Sequence, residues 1–88
     1  MTVQYTTKFL KQLSHLPSAD RSRIEQFVFS KLPTLASLGN TGKIERMVGH
    51  PGFYKIRFGD YRVGLQQQGD TLILKAVMHR KDIYKYFP

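Results

Sequence analysis

The chain has 88 residues, no cysteine and no tryptophan, and its 14 Lys and Arg against 6 Asp and Glu give a formal net charge of +8. That length holds one domain, 1–88, and excludes a multidomain enzyme; the missing cysteines exclude a disulfide scaffold, a thiol nucleophile and cysteine-ligated zinc. The excess of positive charge favours a polyanionic partner, nucleic acid first. No window approaches the roughly 18 apolar residues of a membrane span and Met1 to Leu10 carries no long apolar run, so the expected location is the cytoplasm, with no membrane partner. A domain this small buries proportionally little surface and is expected to be only modestly stable without a partner.

Thr2 to Thr6 is short, β-branched and alternating, which predicts a first strand. Phe9, Leu10, Leu13 and Leu16 recur at helical spacing with Lys8 and Lys11 facing outward, and Pro17 ends that helix. Ser18 is the expected N-cap of a second helix, whose stripe is Ile24, Phe27, Val28 and Leu32 and which Pro33 breaks or bends. The pattern changes near Gly39-Asn40-Thr41-Gly42. Four strands are then predicted, Lys43 to Val48, Phe53 to Phe58, Tyr61 to Gln67 and Thr71 to His79, with turns at His50-Pro51-Gly52, Gly59-Asp60 and Gly69-Asp70. Lys81 to Pro88 reads as a short helix or an extended arm. The expected fold class is α+β, with two N-terminal helices packed on a small, mainly antiparallel twisted sheet.

The two-residue link Gly59-Asp60 fixes a register: Phe58 opposite Tyr61, Arg57 opposite Arg62, Ile56 opposite Val63 and Lys55 opposite Gly64. Tyr54, Ile56, Phe58, Tyr61, Val63 and Leu65 then share an apolar face, and Lys55, Arg57 and Arg62 share the other. Opposed like charges destabilise a sheet by a few tenths of a kcal/mol, within a range of roughly 0.2–1. An anion between the guanidinium groups relieves that repulsion, and Gly64 leaves room above Lys55. If Gly69-Asp70 is also a two-residue loop, Arg62 pairs with Val77 and Lys75 pairs with Gly64. Lys75 and His79 then join the cations, while Leu72, Leu74, Ala76 and Met78 face the helices. The bland alternative is a solvated polar face; cations converging with no acidic residue among them favour an anion site.

The carboxylates Asp20, Glu25, Glu45, Asp60, Asp70 and Asp82 form no close pair for acid/base work, and His15, His50 and His79 have no metal-ligand spacing, so no metal or other cofactor is expected. There is no glycine-rich phosphate loop and no serine nucleophile elbow. What remains is cationic chemistry on phosphate. RNA carries its own nucleophile, the 2′-hydroxyl. Its attack needs a proton acceptor, charge stabilisation at phosphorus and a donor for the leaving oxygen. Arginine suits the second task because its fork meets two phosphate oxygens, and a lysine among other cations suits the first. Tyr84 and Tyr86 are candidates to stack on a splayed base, or simply to dock the tail.

Taken together, Phe9-Leu10-Lys11-Gln12-Leu13, the run Met47 to Arg57 with Tyr54-Lys55-Ile56-Arg57, Gly59-Asp60-Tyr61-Arg62-Val63, and Val77-Met78-His79-Arg80-Lys81-Asp82-Ile83-Tyr84 resemble the RelE/ParE superfamily of type II toxin–antitoxin toxins over essentially the whole chain. RelE-like members are ribosome-dependent endoribonucleases that cut mRNA by the 2′-hydroxyl route without a metal. The resemblance implies proton abstraction by Lys55, phosphate binding by Arg62, phosphate stabilisation or leaving-group protonation by Arg80, and base stacking by Tyr84. Tyr86 is a rival because the spacing from Arg80 is short. Arg57 stands where well-described members carry a second lysine, keeping the charge but not the proton donation. Lys75, His79, Lys81 and Tyr86 are expected RNA contacts, with His79 a candidate for some acid/base capacity. The resemblance also implies a cognate antitoxin that wraps the toxin with an acidic segment, and operator DNA bound indirectly through it. Two alternatives stay open: a ParE-like inhibitor of DNA gyrase, and a catalytically inactive antitoxin-binding module.

Overall fold

The computed structural model describes residues 1–39 and 42–88, so Asn40 and Thr41 of the expected break lie outside the described residues. A five-stranded sheet runs in the order β1-β5-β4-β3-β2, with β1 Thr2–Tyr5, β2 Ile44–Arg46, β3 Phe53–Phe58, β4 Tyr61–Gln68 and β5 Thr71–His79. β1 pairs with β5 in parallel and every other neighbour is antiparallel. The helices are α1 Thr7–Ser14, α2 Ser18–Glu25 and α3 Arg80–Tyr86. The expected α+β architecture is what forms, and the tail is the helical one of its two readings.

The polar ends of α1 do most to place it. Thr6 caps the helix by accepting from Phe9 N at 3.1 Å, and its hydroxyl reaches the carbonyls of Leu74 and Lys75 at 3.2 and 3.3 Å. Gln12 Oε1 accepts from Val77 N at 3.0 Å, so α1 satisfies β5 where β1 has ended. Phe9 and Leu13 thereby enter the main core with Ile24, Val28, Leu32, Ile56, Phe58, Val63, Leu65, Leu72, Leu74 and Val77.

Two expectations about the second helix need correction. Ser18 is the first helical residue and not the cap; Pro17 holds that position without a side-chain bond, its carbonyl accepting from Arg21 N at 2.9 Å. The helix also does not run evenly to Leu32. It widens into a π turn over Gln26–Lys31 and tightens into a 3-10 turn over Leu32–Thr34. Pro33 has no N–H for the Phe29 carbonyl, and in the turn before it the Leu32 N–H reaches back five residues to Phe27 O.

The β3–β4 register is as expected, including Arg57 opposite Arg62 and Lys55 opposite Gly64, with Gly59 at φ +59° in the turn. The β4–β5 register is not. A bulge at Gly64/Leu65 leaves Lys75 unpaired, so Gly64 faces Ala76 and Arg62 faces Met78. One extra residue inverts the alternation beyond it. Val77 therefore enters the helix-side core, while Ala76 and Met78 turn to the other face and join Ile83, Phe87, Met47 and Phe53 in a second, smaller core under α3. His79, paired with Tyr61 and meeting its ring edge-on at 5.8 Å, leaves the cation face.

Candidate functional site

The cations of β3 and β4 occupy two adjoining places. At the first, Lys55 stands on β3 with only 11% of its side chain accessible. Its Nζ donates to Tyr84 Oη and lies 4.1 Å from the centre of the Tyr84 ring. α3 brings that ring over the sheet because Ile83 and Phe87 bury against Ala76. The space expected above Gly64 is filled: Gly64 is buried, and a Cβ there would lie 2.6 Å from two carbons of the Phe87 ring. A glycine inside a strand here marks close packing, not an opening. Beside Lys55 a groove of about 420 Å³ opens between Glu45, Val48, His50, Tyr84 and Lys85.

The second place is the β3–β4 turn. Arg62 donates from Nη1 to the carbonyls of Gly59 at 2.7 Å and Tyr61 at 2.9 Å. Arg80 N donates to Asp60 O at 2.7 Å, and its Nε lies 3.6 Å from the Asp60 carboxylate. Arg23 of α2 bonds Asp20 at 2.9 Å and Phe58 O at 3.3 Å. One tight turn thus anchors three arginines drawn from three elements. A cleft of about 450 Å³ lies between Arg23, Lys43, Arg57 and Arg62, with no carboxylate in its lining. Lys43 is held there over the Phe58 ring, 5.0 Å from its centre.

A carboxylate does stand among the cations, contrary to expectation. Glu45 on β2 is paired with Lys55, and its oxygens lie 3.8 Å from Lys55 Nζ and 3.5 Å from Arg57 Nε. The long connection 47–52 leaves the β2–β3 register unreadable from sequence, so this neighbour was hidden. The Arg57 pair is exposed, and exposed pairs contribute about 0–1 kcal/mol. An anion brought to either cation would meet Glu45 as a rival. Glu45→Gln should therefore tighten binding of an uncleavable 2′-O-methyl RNA about two- to fivefold at low salt, read by fluorescence anisotropy.

The structure brings Lys55 to Tyr84 and Arg57 to Arg62, and holds Arg80 on the turn that also anchors Arg62. Tyr86 lies on the opposite flank of α3, in a separate groove with Lys75. His79 Nδ1 accepts from Lys81 N at 3.1 Å and caps α3, and Lys81 is exposed. Sequence reasoning missed Arg23, Lys43 and Glu45, and it took His50 only as a turn residue. Among the described residues, no group of three or more His, Asp or Glu side chains is arranged to hold a metal ion.

A family model described as the ParE toxin of the type II toxin–antitoxin system parDE matches residues 3–84. The chain is 38% identical over 89 residues to Toxin RelE3 of Methanocaldococcus jannaschii, with all of both chains covered. A solved RelB-RelE antitoxin–toxin complex from Methanococcus jannaschii matches with a TM-score of 0.79 and 36% identity, over 97% of this chain and 99% of that one. The toxin–antitoxin complex RelBE2 from Mycobacterium tuberculosis shares the fold, with a TM-score of 0.69 at 24% identity over 90% of this chain and 96% of that one.

Proposed function

We propose that this chain, which belongs to the RelE/ParE superfamily of toxins of type II toxin–antitoxin systems, is an endoribonuclease that cuts ribosome-bound mRNA and is neutralised by a cognate antitoxin. The observation that carries the reading is the pair Arg57 and Arg62, opposed on one sheet face where folding alone disfavours like charges. The cleft that they share with Arg23 and Lys43 is otherwise lined only by Phe58 and Gly59, so every charge in its lining is positive.

In the proposed reaction the RNA supplies its 2′-oxygen as nucleophile. The 2′-O–P bond forms and the P–O5′ bond breaks, giving a 2′,3′-cyclic phosphate and a 5′-hydroxyl. Lys55, on the strand that carries Arg57, takes the 2′-hydroxyl proton in its neutral amine form and becomes the ammonium. Arg57 and Arg62 meet the non-bridging oxygens as negative charge grows on them. Arg62 spends one nitrogen on the turn carbonyls, which holds the rest of its fork in place before substrate arrives. Arg80, fixed to the same turn through Asp60, donates a hydrogen bond to the leaving 5′-oxygen, which takes a proton from water to become the 5′-hydroxyl. Tyr84, 64% accessible, offers its outer face to a base. The net charge of +8 suits both the RNA and an acidic antitoxin segment. The related RelE from Methanococcus jannaschii is known in complex with a RelB antitoxin, which supports a partner of that kind here.

The ParE description of the family model favours one second reading, inhibition of DNA gyrase. Induced expression followed by primer extension separates the two. Discrete 5′ ends within translated messages, lost in Arg62→Ala, are the expected result. Intact message with accumulating DNA breaks would establish gyrase inhibition instead. Normal growth with folded protein present would leave only a binding module.

A further inference from the structure

The groove on the far flank of α3 has no role in the reaction above. It measures about 370 Å³ and is lined by Lys8, Phe53, Lys75, Tyr86, Phe87 and neighbouring residues, with no Asp or Glu side chain. Phe53 and Phe87 form its wall, packed edge to face at 5.7 Å. Lys75 Nζ lies 5.7 Å from the Phe53 ring centre, and Lys8 stands exposed on the facing helix. Tyr86 is 65% accessible. The bulge in β5 is what places Lys75 here, and the Thr6 cap bonded to the Leu74 and Lys75 carbonyls sets α1, with Lys8, against it. Asp82 lines the adjoining groove on the side of Gln12, which Lys8 and Tyr86 also border.

We infer that this groove is a second nucleotide subsite, in which Tyr86 stacks on the base of an RNA residue near the cleaved one and Lys8 and Lys75 hold its phosphate. The substrate class rests on the ribonuclease reading; the site itself rests on the geometry. Phe87 and Pro88 line both this groove and the one beside Lys55, so a strand crossing the end of α3 meets Tyr84 on one flank and Tyr86 on the other. The backbone alongside argues against a peptide strand. The Leu74 and Lys75 carbonyls are taken by Thr6 and the Val77 N–H by Gln12, which leaves ring faces and ammonium groups to do the recognising. A base and its phosphate need just these.

The test is anisotropy of a fluorescein-labelled 2′-O-methyl heptanucleotide, which lacks the nucleophile and stays intact, against the full chain at several salt concentrations. Stacking is worth about 1–3 kcal/mol per base, so Tyr86→Ala should weaken binding roughly 5- to 150-fold while Tyr86→Phe binds like the native chain. The double variant Lys8→Gln, Lys75→Gln should flatten the slope of log affinity against log salt by about 0.7 for the lost phosphate contact. Circular dichroism checks that each variant is folded. Native affinity and slope in all of them, with binding weakened in Arg62→Ala, would overturn the subsite and leave the ribonuclease reading standing. Variants that keep RNA but lose an acidic antitoxin segment would also overturn it, by giving the groove to a peptide. No RNA binding and no mRNA cleavage by the native chain would remove the ribonuclease reading itself.

Discussion

Arg62→Ala should slow mRNA cleavage about 10²- to 10³-fold, the usual cost of removing one donor aimed at transition-state charge. The size of the effect follows from how the side chain is held. A free surface arginine loses rotamer entropy when it binds phosphate. Arg62 has already been ordered by the Gly59 and Tyr61 carbonyls, at 2.7 and 2.9 Å, and its partner across the sheet is another guanidinium, whose one carboxylate neighbour, Glu45, stands 3.5 Å away among the described residues. Arg62→Lys should restore little, because an ammonium cannot hold the turn and present a planar fork together. Single-turnover cleavage of programmed ribosomes measures this. A rate within threefold of native for Arg62→Ala would remove Arg62 from the chemistry and with it the main support for phosphate binding at the β3–β4 turn.

Gly64→Ala should destabilise the protein by about 1–3 kcal/mol, the range for overpacking a filled site. The added methyl would sit 2.6 Å from Phe87 Cδ2 and Cε2, a separation that forces the ring away. For a domain of this size that is a large share of total stability. The cause is specific and so is the cure. Phe87→Ala should cost stability alone yet recover part of the Gly64→Ala loss when combined, a coupling that urea midpoints of the two single variants and the double variant resolve. Additive losses would mean that Phe87 does not cover Gly64 in solution.

A two-residue turn between alternating runs specifies placement from the turn outward as far as the first bulge. The Gly59-Asp60 link allows a single pairing of β3 with β4, so the opposition of Arg57 and Arg62 is legible in the amino-acid sequence itself. The bulge at Lys75 is not. Leu72, Leu74, Ala76 and Met78 alternate convincingly, but Val77 is apolar as well, so the pattern is equally content with an inversion after Lys75. Unbroken alternation puts His79 and Val77 on the wrong faces and conceals the link between Lys75 and Tyr86. Glu45 stays hidden because a long connection leaves register free. Gly64 does carry a signal, but it announces a neighbouring ring where open space is expected.

The swap of faces along β5 has a thermodynamic corollary. A single strand serves two hydrophobic compartments of unequal size: a large one beneath α1 and α2, and a small one of Ala76, Ile83 and Phe87 beneath α3. Cooperative units open at free energies that track the apolar contact holding them. The tail should accordingly be the first part to detach, taking Arg80 with it and baring Lys55, while Arg62 and Arg23 keep their bonds to the β3–β4 turn.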